Sequence, residues 1–210
     1  MKRLILSTIC FITFGGIGVF SQNLSSEGME QIEIFEESVV RMMDGINNKN
    51  KAALNDAIEG FNELRIADIT IDDYRIINRD GLCSPEIFFG KGYCEAVLSD
   101  NFDLIKLAEL EMERSLSDDG SIIIFDGAVK PGASVSYIIE VGGDMFVSVA
   151  SYPAGVVKCE VQADDTDVPM SKDESGYIMH GGLALGDEVP VKITLSNPVD
   201  EVVSFSIAVK

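Results

Sequence analysis

Four cysteines, a single histidine and a surplus of acids are the reactive groups this chain carries. Cys83 and Cys94 bracket the segment "CSPEIFFGKGYC", which holds the turn formers Ser84-Pro85, Gly90 and Gly92. A zinc site would use closer pairs of cysteines with further Cys or His ligands, and a thioredoxin-like site would use C-x-x-C in a βαβ setting. Neither spacing is present. A local disulfide staple is therefore the expected chemistry of Cys83 and Cys94, adding about 3 kcal/mol by closing a short loop in the unfolded chain. Cys159 alternates with Val157 and Val161, so it reads as a small buried apolar residue rather than a reactive thiol.

His180, in "IMHGG", is the imidazole any Ser-His or Cys-His hydrolase would have to use, with Cys159 or Ser175 as nucleophile. No serine lies in a nucleophile-elbow pattern. A carboxylate-pair glycosidase is the other hydrolytic option, but the chain has no Trp and only 8% aromatics with which to line a sugar cleft. No catalytic residue is assigned, and an enzyme is not expected. In "ADDTDVPMSKDESG" the acids Asp164, Asp165 and Asp167, followed by Asp173 and Glu174, are dense enough in hard oxygens to hold calcium. Their spacing is not that of an EF-hand, and a solvated acidic loop is the simpler reading. Phe88, Phe89 and Tyr93, inside the cysteine-flanked segment, either pack onto neighbouring helices or form an exposed contact surface.

The setting for these groups is fixed by the first residues. In "MKRLILSTICFITFGGIGVFSQ", Lys2 and Arg3 precede an apolar run to Phe20 that ends at Ser21, the pattern of an export signal cleaved after Ser21. Gly15, Gly16 and Gly18 weaken a retained spanning helix, and Ile9 is too bulky to precede a lipidated Cys10. Residues 1–21 are thus read as a signal peptide, and the remainder as an exported chain of the periplasm, cell surface or medium, not inserted in the membrane. Export is also what favours pairing of cysteines. The formal charge of −19, more negative still once Lys2 and Arg3 are removed, repels nucleic acid and anionic lipid. An envelope protein or a polysaccharide remains as the class of partner.

The elements that must position the reactive groups change character along the chain. From Met29 to Ile46, apolar residues recur at steps of three and four, which predicts an amphipathic helix. Asn47-Asn48-Lys49-Asn50 breaks it, and Ala53, Leu54, Ala57, Ile58, Phe61 and Leu64 predict a second helix folded back as a hairpin. A further helix is predicted over "DNFDLIKLAELEMERSL", residues 100–116. Beyond "SLSDDGS" the period becomes two. Strands are predicted around Val135–Val141 and Met145–Val149, joined by a tight hairpin at Gly142-Gly143, then around Val157–Val161, Val189–Leu195 and Val203–Val209. "YIMH" is a candidate short strand. The fold class expected is α+β, with residues 22–117 a small helical domain bearing the stapled loop and residues 121–210 an antiparallel β-sandwich, jelly-roll or immunoglobulin-like.

The C-terminal part resembles the bacterial pre-peptidase C-terminal domain family of secreted β-sandwiches. The likeness rests on "KPGASVSYIIEVGGDMFVSVAS" and on "GDEVPVKITLSNPVDEVVSFSIAVK", with its Asn-Pro turn before the last strand, and covers about residues 120–210. It implies an accessory or binding module and carries no functional residue across. The function expected is an exported, non-catalytic binding or adhesion protein of the bacterial envelope. The alternatives are an assembly subunit that adds a partner strand beside Val202–Val209, or a hydrolase dependent on His180.

Overall fold

Helix α1 (Ser26–Asn48) buries Ile32, Phe35, Val39, Met42 and Met43 on the stripe the periodicity predicts. Asn50 ends the break: its side chain accepts a hydrogen bond from the Ala53 amide and caps α2 (Lys51–Glu63). The two helices approach closely at Gly45, where a Cβ would lie 2.5 Å from Leu54 Cγ. The chain continues through β1 (Ile66–Ala67), β2 (Tyr74–Ile77), β3 (Leu82–Cys83), α3 (Lys91–Ser99), β4 (Leu116–Ser117), β5 (Ile123–Val129), β6 (Ser134–Val141) and β7 (Asp144–Tyr152). It closes with β8 (Lys158–Ala163), β9 (Thr166–Val168), β10 (Ser171–Lys172), β11 (Ile178–Ala184), β12 (Val189–Ser196) and β13 (Val203–Val209). This computed structural model describes residues 26–67, 69, 73–100, 116–117 and 121–210. The signal-like segment 1–21 and nearly all of the helix expected over 100–116 lie outside the described residues.

The protein is α+β, built on a β-sandwich. One sheet has six strands in the order β10-β11-β7-β13-β5-β3, the other five in the order β2-β6-β12-β8-β9, and every pairing within them is antiparallel. Alternate residues of both sheets point inward. Val135, Tyr137, Ile139, Val161, Ile193, Leu195, Phe205 and Ile207 meet there in the main core, with Cys159 buried among them as expected. Asn197 shapes the turn before β13, donating to the carbonyls of Val129 and Glu201 and accepting from the Val199 amide.

A second core lies on the outer face of the six-stranded sheet. There α1 and α2 set Ile32, Phe35, Val39, Met42, Met43 and Leu54 against Ile122, Ile124, Ala150, Ile178 and Ala208. The molecule therefore has three layers: helices, six-stranded sheet, five-stranded sheet. None of the residues in the second core comes from the five-stranded sheet.

Three expectations change. β6 and β7, on either side of Gly142-Gly143, do not form a hairpin: β6 pairs with β2 and β12, β7 with β11 and β13, so the chain crosses there from one sheet to the other. Alternation shows which residues face a core but not which strand lies alongside. β13 is not an edge, since it lies between β5 and β7. The division between residues 22–117 and 121–210 does not separate helices from sheets either, because β2 and β3 supply one edge strand to each sheet.

Candidate functional site

His180 is the third residue of β11, opposite Ser148 of β7 and Ser171 of β10. Residues two apart on a strand share a face. Ile178 belongs to the second core, so His180 also faces the helices. There its Nδ1 lies 3.1 Å from Oε1 of Glu36 on α1, with the two side chains only 22% and 20% exposed. The Phe146 ring stands edge-on to the imidazole at 5.9 Å between centroids. Gly182, opposite Phe146 on β11, makes room for that ring: a Cβ would come within 2.9 Å of Phe146 Cδ2. The hydrogen bond with Glu36 holds the His180 pKa above its ordinary value; burial opposes this, while the charges of Glu36 and then Asp173 add to it. Close by, Asn47 at the end of α1 donates to the Tyr177 hydroxyl just before β11. Two polar contacts thus join α1 to β11, one at each side of the apolar contact made by Ile178.

A carboxylate on Nδ1 fixes the tautomer of a neutral imidazole and stabilises the charged one, which is what a positioning carboxylate does in acid–base catalysis. The Ser148 hydroxyl lies on the same sheet face, is fully buried and has no hydrogen-bond partner among the described residues. Ser206 of β13 is in the same condition. Neither Ser175 nor Cys159, the nucleophiles considered from sequence, is placed to act with His180. The Ser175 hydroxyl is bonded to the Asp173 carboxylate, and Cys159 faces the other core.

No family model matches the sequence, and comparison with curated proteins gives no match. The resemblance of residues 120–210 to pre-peptidase C-terminal domains remains a likeness of pattern.

The other predicted site residues are placed as follows. Cys83 and Cys94 are not bridged; both thiols are free. Cys83 lies on β3 beside Ala128 of β5, and Cys94 is fully buried on α3 in the second core. The segment between them is held instead by Ser204, whose Oγ accepts from the amides of Glu86 and Ile87, and by Ile87 and Phe89 in the second core. Packing and two hydrogen bonds do there what the staple was expected to do. Phe88, Phe89 and Tyr93 do not form an exposed surface. Phe89 is buried, Phe88 and Tyr93 are half-buried, and burial raises the Tyr93 pKa.

Asp164 and Asp165 make the turn between β8 and β9, with Asp164 at a φ of +52°, and Asp167 accepts from Gln162 Nε2. Asp173 accepts from the amides of Ser175 and Ile178 and shapes the turn before β11. Asp164, Asp165 and Asp173 are used in turns, and Asp167 in a cross-strand pair of β8 and β9. Among the described residues no group of three or more Asp, Glu, His or Cys side chains is arranged to hold a metal ion.

Sequence reasoning missed Glu36 and Asn47. Glu36 stands beside the apolar stripe of α1, four residues after Ile32, and Asn47 lies exposed at the end of the helix, four residues after Met43. For Glu36, a polar residue set beside the apolar stripe of a helix was the available signal; Asn47 is exposed and gave none.

Proposed function

We propose that this chain is an exported, non-catalytic binding or accessory protein of the bacterial envelope, with an envelope protein or a polysaccharide as its ligand. The observation that carries this reading is the outer face of the five-stranded sheet. The helices pack on the opposite sheet, and the side chains that alternate outward on β6, β12 and β8 are mostly polar, with Ile138 and Pro190 the apolar exceptions and Ser136 buried. Ser134 bonds Ser196 and Ser136 bonds Thr194 across the central strands, with Lys158 and Glu160 continuing the same two rungs. A broad polar face of this kind offers donors and acceptors to a hydroxylated or peptide ligand. The signal-like leader and the likeness to accessory sandwiches support the same reading.

The test is a binding screen of the chain from Gln22 onward against solubilised envelope proteins and a polysaccharide panel, with and without calcium. Saturable capture that is abolished by Thr194→Lys, in a variant with unchanged melting, is the expected result. Capture indifferent to Thr194→Lys, or none at all, would sink it.

The second reading is a hydrolase dependent on His180, favoured by Glu36 at Nδ1. Turnover of ester or peptide probes that disappears in Ser148→Ala, with the fold intact, is the result that would replace the first reading with this one.

A further inference from the structure

His180 is the only imidazole in the chain. Its side chain, on the sheet, meets Glu36, on the helical layer, so one contact between layers depends on one titratable group. Imidazole is the side chain whose ordinary titration falls between about pH 5 and 8. We propose that His180 and Glu36 form a pH-dependent latch that fastens α1 more tightly to the six-stranded sheet as the pH falls through the neutral range.

The surroundings of His180 give the sign. From α1 it is met by the Glu36 carboxylate, while the next acid, Glu37, is exposed and paired with Arg41. From the turn between β10 and β11 the Asp173 charge acts on it. From β7 it meets Phe146 and Ser148, neither of them charged near neutrality. From β10, Ser171 is opposite, and the neighbouring Lys172 directs its Nζ to the Gly155 carbonyl. The charges acting on the imidazole are thus negative, and protonation converts a hydrogen bond between a neutral imidazole and a carboxylate into an ion pair. With the folded pKa raised, the added stability is fully present below the unfolded value of about 6.5 and is lost as the pH rises through the folded value. The latch tightens in acid, whereas a protein held by paired carboxylates loosens there.

What the latch holds is shown by the residues under α1. Ile178, Ala150 and Ala208 are covered by Phe35, Val39, Met42 and Met43 in the second core. Loosening α1 would uncover the apolar outer face of the six-stranded sheet while leaving the core between the sheets in place. The latch stands apart from the binding face on the other sheet, and either can fail without the other.

The single histidine makes the experiment direct. Its ring protons are followed by NMR against pH in the chain from Gln22 onward and in Glu36→Gln, and α1 amide exchange, corrected for intrinsic rates, is compared at about pH 5.5 and 8.5. The expected result is a His180 midpoint above that of Glu36→Gln, with α1 amides protected several-fold more at the lower pH in the parent chain only. A His180 midpoint unmoved by Glu36→Gln, or α1 protection with the same pH dependence in both proteins, overturns the proposal. Glu36→Gln keeps the shape of the side chain and its hydrogen-bonding capacity. Should it still fail to fold, His180→Gln supplies the amide comparison, and retention of the parent's pH dependence there overturns the latch equally.

Discussion

A buried hydroxyl without a partner is a cost, because it gave up water and received nothing in return. Among the described residues, Ser148 and Ser206 are both in that state on the helix-facing side of the sheet. Ser148→Ala is accordingly expected to raise stability by about 1 kcal/mol in urea unfolding, whereas a loss of similar size would show that the hydroxyl has a partner. The cysteines make a second residue-scale case. Burial pushes the Cys94 and Cys159 thiols up to about 12, so at pH 8 only about one in ten thousand of either is thiolate. In the chain from Gln22 onward, an aromatic disulfide reagent at pH 8 should modify the half-buried Cys83 without denaturant, and all three cysteines with it. Rapid modification of Cys94 in the native protein would contradict the packing described. Cys159 was legible in the sequence because alternation with two valines gives its face. The fate of Cys83 and Cys94 was not legible, since spacing reports how far apart two thiols are along the chain and not which neighbours claim them.

Elements were legible in proportion to the length of their pattern. α1, α2, β12 and β13 each repeat a period over seven residues or more, and each was predicted close to its observed span. α3 was missed because its nine residues begin beside Gly90 and include Gly92, both readable as turn formers. β5 was missed because "IIFDGAV" does not alternate: it is buried on both faces, between the main core and the helices. The close crossing of α1 and α2 was equally hidden, because a glycine inside a helical pattern reads as a weakness rather than as a contact point. Gly45→Ala improves helix propensity by about 1 kcal/mol, but its methyl would press on buried Leu54, an overpacking cost of about 1–3 kcal/mol. A net loss of about 1 kcal/mol in thermal or urea unfolding is expected. A gain would mean that the helices have room to part.

At the scale of the whole molecule, the composition was right about class and silent about layering. The sequence has a helical part and a sandwich part, and the three-layer arrangement joins them through β2, β3 and the second core. Residues 121–210 alone would lack an edge strand of each sheet and would expose Ile122, Ile124, Ala150, Ile178 and Ala208 to water. That fragment is expected to aggregate or to lack a cooperative urea transition, whereas the chain from Gln22 onward should show one. A fragment that unfolds cooperatively as a monomer would show that the helical layer is dispensable.

The central place of β13 bears on how the protein comes into being. β5 and β7 are joined to each other through β13, and the Lys210 backbone exchanges two hydrogen bonds with Phe146. A ribosome delivers β5 and β7 long before residues 203–209 appear, and during that interval the six-stranded sheet has a gap at its centre. The six-stranded sheet therefore cannot close until residues 203–209 have been made, and until then β5 and β7 each keep one unpaired edge.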